Sequence, residues 1–297
     1  MTEATFESRP SLLRTVARVA IVRLLLFFFV LLTAYAGVQL AMIQVVKQAP
    51  KDRLDIIAIG AAVVLGAVMI GVYALLVRWT ERRRARELAL FRGLPLAIGG
   101  VLFGFALFSI VYAVLWAMGV AQWHGLSSQF TVTVALVMAV CAAIGEELAI
   151  RGGVFRILED SFGTAIALIL SAGLFGLLHA LNPGASTASD LAIALEAGVL
   201  LGAAYAVSRN LWLPIGLHFG WNFTEGGVFG AAVSGGGGGK GLVSMPLSGP
   251  DLLTGGAFGP EASIVAVAVC CTAALVLIVL TIRRGRWVPI SFHMMLD

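Results

Sequence analysis

Eight polar residues sit inside otherwise apolar runs of this chain: Glu146, Glu147, Arg151, His179, Glu196, His218, Asn222 and Glu225. Ionisable groups in apolar surroundings are costly, and where they occur they mark function. Glu147 and Arg151 are four apart, share a helix face and can pair, which lowers the cost of burying either. Glu146 points about 100° away from that pair and has no local partner, the state that suits a general base. Phe175 lies one turn below His179 and can brace its imidazole. His218 and Asn222 are also four apart, so they present two polar groups to one point, about 6 Å apart along the axis. A carboxylate base, two imidazoles and a carboxamide are equipment for hydrolysis. The same groups serve proton-coupled transport, and the residues alone leave both open.

Membrane helices must position these groups. Hydrophobic residues make up 60% of the 297 residues and charged residues 12%, against about half and a quarter in soluble domains. Apolar runs of spanning length fall at 24–46, 55–77, 95–119, 130–150, 162–181, 190–208, 211–233 and 262–282. The expected fold is therefore an all-α, polytopic integral membrane protein with about eight transmembrane helices. The turn between the fourth and fifth runs lies near Ser161. Glu146 and His179 are then roughly 23 and 27 Å from it by helix rise, so they reach similar depth. His218 and Asn222 lie about 12–18 Å beyond a turn near Asn210. This arrangement carries the fourth helix past its apolar run to about Leu158, with Arg151 near the inner face. Three regions are expected: residues 1–129, a basic segment and three helices; 130–233, the core of helices four to seven; and 234–297, a Gly-rich outer loop, the last helix and a basic tail.

The sequence pI near 9.3 does not point to nucleic acid, because topology explains the basic residues. With both termini cytoplasmic, sixteen of the twenty Lys and Arg, including Arg82, Arg83, Arg84 and Arg86, fall on the inner side. Only Lys47, Lys51, Arg53 and Lys240 remain outside. The expected location is the plasma membrane, with lipid and a peptide or protein substrate as partners. Cys141, Cys270 and Cys271 lie in apolar runs, in neither a disulfide framework nor a metal-ligand spacing. Residues 234–260, with glycines at 235 to 239, are expected to form a flexible loop.

Three ordered motifs, Glu146-Glu147-x-x-x-Arg151, Phe175-x-x-x-His179 and His218-x-x-x-Asn222, resemble the CPBP family of intramembrane proteases, also called the Abi or CAAX-protease family. The resemblance covers about residues 130–225. It implies a membrane endopeptidase in which Glu146 activates water with help from His179. His218 and Asn222 would hold the oxyanion, and Glu147, Arg151 and Phe175 would support the site. Bacterial relatives are linked to bacteriocin processing or self-immunity. Members are often labelled metalloproteases; if zinc is required, Glu146, His179 and His218 would be its ligands. The compact His-Glu-x-x-His motif is missing, so a glutamate mechanism with no cofactor competes with zinc. A non-catalytic immunity or scaffold protein and a proton-coupled transporter are the rivals, although no internal repeat of the transporter kind is found.

Overall fold

The computed structural model describes residues 19–128, 130 and 132–290. Arg9, Arg14 and Arg18 of the expected N-terminal basic segment lie outside the described residues, as does the end of the basic tail. Every expected apolar run is helical: α1 Ala20–Lys47, α2 Leu54–Glu81, α3 Leu90–Ala117, α4 Val132–Phe162, α5 Thr164–His179, α6 Thr187–Ser208 and α8 Ile264–Arg283. Between α6 and α8, α7 runs over Trp212–Phe223 and continues through a wide turn at Thr224–Val228. No strand forms among the described residues, only two isolated bridges. The chain is an all-α, multi-pass membrane protein. Its surface agrees: Ile56, Phe91 and Leu181 are 72, 96 and 93% exposed, and an apolar exterior of this kind needs lipid around it.

By length and composition α1 to α4, α6 and α8 can cross a membrane, six helices among the described residues. The other two runs give shorter helices, and they carry the two histidines. The 16 residues of α5 reach about 24 Å, less than the ~30 Å of a hydrocarbon core. Gly163, at φ 87°, breaks the chain before α5, and Pro183 follows it closely and disfavours continuation. α7 begins where the Asn210 side chain accepts from the Trp212 N–H at 2.9 Å. The reach estimated for the fourth helix holds, since α4 continues to Phe162.

Three helices contain π-type turns, at Leu148–Phe155 in α4, Ala194–Gly198 in α6 and Thr224–Val228 in α7. Such turns are rare and concentrate at functional sites. They hold Arg151, Glu196 and Glu225.

α7 is seated against α3 through glycines on both sides. A Cβ on Gly100 would come 2.5 Å from Leu213 O and 2.7 Å from Leu217 N, while Gly216 and Gly220 of α7 face Ala97 and Val101 of α3 in the same way. Small residues at four-residue spacing let helix backbones touch, which supplies the packing that lipid cannot. His218 lies between the two α7 glycines.

One end of the bundle is tied by ion pairs. Arg156 of α4 makes a bidentate pair with Glu81 of α2 at 2.6 and 2.9 Å. Arg83, from the basic run, holds Glu87 at 2.7 and 2.9 Å, and Tyr73 donates to the same carboxylate at 2.5 Å. Burial alone would push the Glu87 carboxyl up; the bonds from Arg83 and Tyr73 outweigh it and hold it below the ordinary carboxylate value.

The Gly-rich segment departs from the expected flexible loop, because its main chain is hydrogen-bonded along its length. Leu242 and Val243 N–H donate to Gly227 O and Val228 O, each at 2.8 Å. Gln122 and His124, after α3, donate to Pro246 O and Ser244 O at 3.1 and 2.9 Å. Gly235, at φ 74°, donates to Phe258 O at 2.7 Å, and Asn182 Nδ2 donates to Ser234 O at 3.0 Å. The segment therefore covers the ends of the helices that carry the histidines.

Candidate active site

Glu147 is fully buried and binds Arg151 Nη1 through Oε1 at 2.8 Å, the pairing that the four-residue spacing requires. The same oxygen lies 3.0 Å from His218 Nδ1, across 71 residues of sequence. Arg151 is wholly buried. Its Nη2 donates to Ala197 O and Gly198 O at 2.9 and 3.0 Å, carbonyls in the wide turn of α6. Its guanidinium also stacks 4.5 Å from the Phe175 ring centroid. A buried charge needs this many partners to persist.

Phe175 organises both histidines. Its carbonyl accepts from His179 Nδ1 at 2.8 Å. Its ring lies 4.7 Å from the His179 ring and 6.3 Å, edge on, from the His218 ring. Both Nδ1 atoms are thus engaged, by a carbonyl in one ring and by an arginine-bound carboxylate in the other. Each ring has Nε2 left to offer to a reacting group.

Glu146, His179, His218 and Asn222 line one cavity of about 540 Å³. They come from α4, α5 and α7, and the cavity continues beneath the Gly-rich segment to Lys240. Glu146, His179 and Asn222 are half-buried, unlike the Glu147–Arg151 pair. The two adjacent glutamates are therefore divided by environment, one facing the cavity and the other locked in protein. Tyr35 and Gln39 of α1 line the same cavity. Sequence reasoning passed over them because a single Tyr or Gln in an apolar run carries no spacing signal.

Among the described residues no group of three His, Cys, Asp or Glu is placed to hold a metal ion, the trio Glu146, His179 and His218 included.

Glu196 and Glu225, left without a role by the sequence, are buried at 1 and 0% exposure beside Glu261 at 2%. Glu261 was not among the polar residues of the apolar runs because it lies in a Gly- and Pro-rich connection outside every one of them.

No curated protein and no solved structure matches the chain. The family model described as Rce1-like, type II CAAX prenyl endopeptidase, matches residues 127–224. That segment holds all three motifs, and over it the chain is similar to the CAAX prenyl endopeptidase family that those motifs resemble.

Proposed function

We propose that the protein is an intramembrane endopeptidase that hydrolyses peptide bonds of membrane-bound protein substrates with water activated by Glu146. One observation carries the reading: Glu146, His179, His218 and Asn222, from three helices, line a single cavity large enough for a peptide segment. Glu146 takes a proton from water, and the hydroxide adds to the scissile carbonyl carbon. Asn222 Nδ2 donates to the oxyanion so formed, and the imidazole Nε2 lone pairs accept from the water and help place it. Collapse of the intermediate restores the C=O, breaks the C–N bond and passes the Glu146 proton to the leaving amine. Glu147, Arg151 and Phe175 hold His218 and His179 at the angle this requires. The distribution of basic residues supports cytoplasmic termini in a plasma membrane.

The test is cleavage of a mixed peptide library by purified protein in detergent. Wild type is compared with Glu146→Gln and His179→Ala, each with and without a zinc chelator. Loss of a general base costs about 10²–10⁴-fold, so both variants are expected to fall to background while chelator leaves wild type active. Unchanged cleavage by Glu146→Gln would sink the reading. Chelator-sensitive cleavage restored by zinc would replace the glutamate mechanism with a metal one.

A further inference from the structure

Tyr35 and Gln39 of α1 line the cavity that holds Glu146, and no step of the hydrolysis uses them. They stand outside residues 127–224, so the family likeness gives them no role. Both are half-buried, and they lie one helical turn apart on the same face of α1.

The contact of α1 with α4 fixes their place. A Cβ on Gly153 would come 3.1 Å from the Phe27 Cβ. A Cβ on Gly145 would come 2.4 Å from two carbons of the Tyr35 ring, so that ring rests on the α4 backbone one residue before Glu146. Further along, Cys141 Sγ lies 3.9 Å from Met42 Sδ. The two helices therefore run antiparallel, and passing from Phe27 to Met42 on α1 means passing back from Gly153 to Cys141 on α4. The Tyr35 hydroxyl has Glu146 and Cys141 as titratable neighbours and shares a hydrogen bond with the Gln39 side chain. A carboxamide has two hydrogens to donate and an oxygen that accepts, so after one bond to Tyr35 it can still do both. Gln39 thus offers the cavity the same pair of groups as a peptide bond.

The neighbouring wall offers neither. The turns of α4 before Glu146 contribute Val134, Ala135, Met138, Ala139 and Ala142, side chains without a donor or an acceptor. Asn182, at the cover, already donates to Ser234 O at 3.0 Å. A peptide drawn into such surroundings takes its N–H and C=O groups out of water, and each is costly to bury unpaired. Glu146 and Asn222 are occupied at the scissile bond, so the peptide groups next along the chain need another partner.

We infer that Gln39 binds the main chain of the substrate by pairing with one peptide group near the scissile bond, and that Tyr35 is the positioning residue that holds its carboxamide toward the cavity. This rests on the proposed hydrolytic reading and adds to it how the substrate is held, as an extended chain gripped by its backbone. Four residues of helix carry Gln39 about 6 Å beyond the level of Tyr35 and Gly145. An extended peptide advances about 3.3 Å per residue. For a peptide lying along α1, the bound group is therefore about two residues from the bond that is cut.

The experiment is a cycle between the enzyme and the substrate backbone. A peptide that purified full-length wild type cleaves in detergent is remade with an ester in place of one amide at a time, the scissile amide being kept. Each ester removes one N–H and weakens one C=O without altering a side chain. Gln39→Met keeps the length of the side chain and removes its polar atoms. It is expected to raise KM for the parent peptide about tenfold, the order of two neutral hydrogen bonds, and to leave kcat nearly unchanged. At one position, about two residues from the scissile bond, the ester should cost wild type about tenfold and cost Gln39→Met nothing further. Tyr35→Phe keeps the ring on Gly145 and should show a weaker coupling at the same position. A merely structural role would leave the two changes additive. Equal losses in wild type and Gln39→Met at every ester, or a wild-type KM in Gln39→Met, would refute the inference. Glu146→Gln run alongside separates the two failures: cleavage that survives it sinks the hydrolytic reading, whereas its inactivity together with an additive Gln39→Met cycle sinks the backbone grip alone.

Discussion

The seat of α7 on α3 gives a sharp test, because two adjacent glycines have opposite surroundings. A Cβ on Gly100 would stand 2.5 Å from Leu213 O, about 0.9 Å inside the 3.4 Å at which ordinary contact begins, and the obstacle is backbone. A Cβ on Gly99 would meet nothing within 4 Å. Gly100→Ala must therefore push α7 away from α3 by close to an ångström. Overpacking on this scale costs about 1–3 kcal/mol. A displacement of 1 Å at a site of positioned groups can cost about 10²-fold in rate. Gly99→Ala should be neutral, or stabilising by about 0.5–1 kcal/mol through helix propensity. The assays are thermal melting in detergent and cleavage of the peptides that wild type cuts. Gly100→Ala should melt lower and cleave about a hundredfold more slowly, with Gly99→Ala at wild-type values. If the two variants behave alike, the argument that glycine contacts set the position of His218 and Asn222 is wrong.

Other expectations follow from buried charge and backbone. Arg151→Met leaves Glu147 buried without its cation, so it should destabilise the protein by about 3–5 kcal/mol. The double variant Arg151→Met with Glu147→Gln should recover part of that loss in melting experiments. Glu87 is held below the ordinary carboxylate value in the folded protein. Its contribution is complete above the unfolded value of about 4.3 and is lost as pH falls through the lower folded value. Melting temperature should drop over that acidic window, and the drop should be smaller in Glu87→Gln. Gly235, at φ 74°, meets Pro183 O. Gly235→Ala should strain the cover over the site by about 1 kcal/mol or more and expose the 229–250 segment to limited proteolysis.

What the sequence determined is local. Apolar runs in a chain with few charges require membrane helices, since only hydrogen-bonded helices or closed barrels satisfy the backbone in lipid. The Glu147–Arg151 pair and the bracing of His179 by Phe175 are consequences of four-residue spacing on one helix, and both are present. Helix rise placed Glu146 and His179 at matching depth across one turn, and they share a cavity. The tertiary structure decided which glutamate faces what. It gave His218 to Glu147 across 71 residues and left Glu146 to the cavity. It also turned α4, α6 and α7 through wide turns, shortened the helices that carry the histidines, folded the Gly-rich segment over their ends and gathered Glu196, Glu225 and Glu261 into one buried cluster. Covalent spacing fixes geometry only within a helix. Which faces of different helices meet depends on close packing of glycines and ion pairs far apart in the chain, and no local pattern encodes that choice.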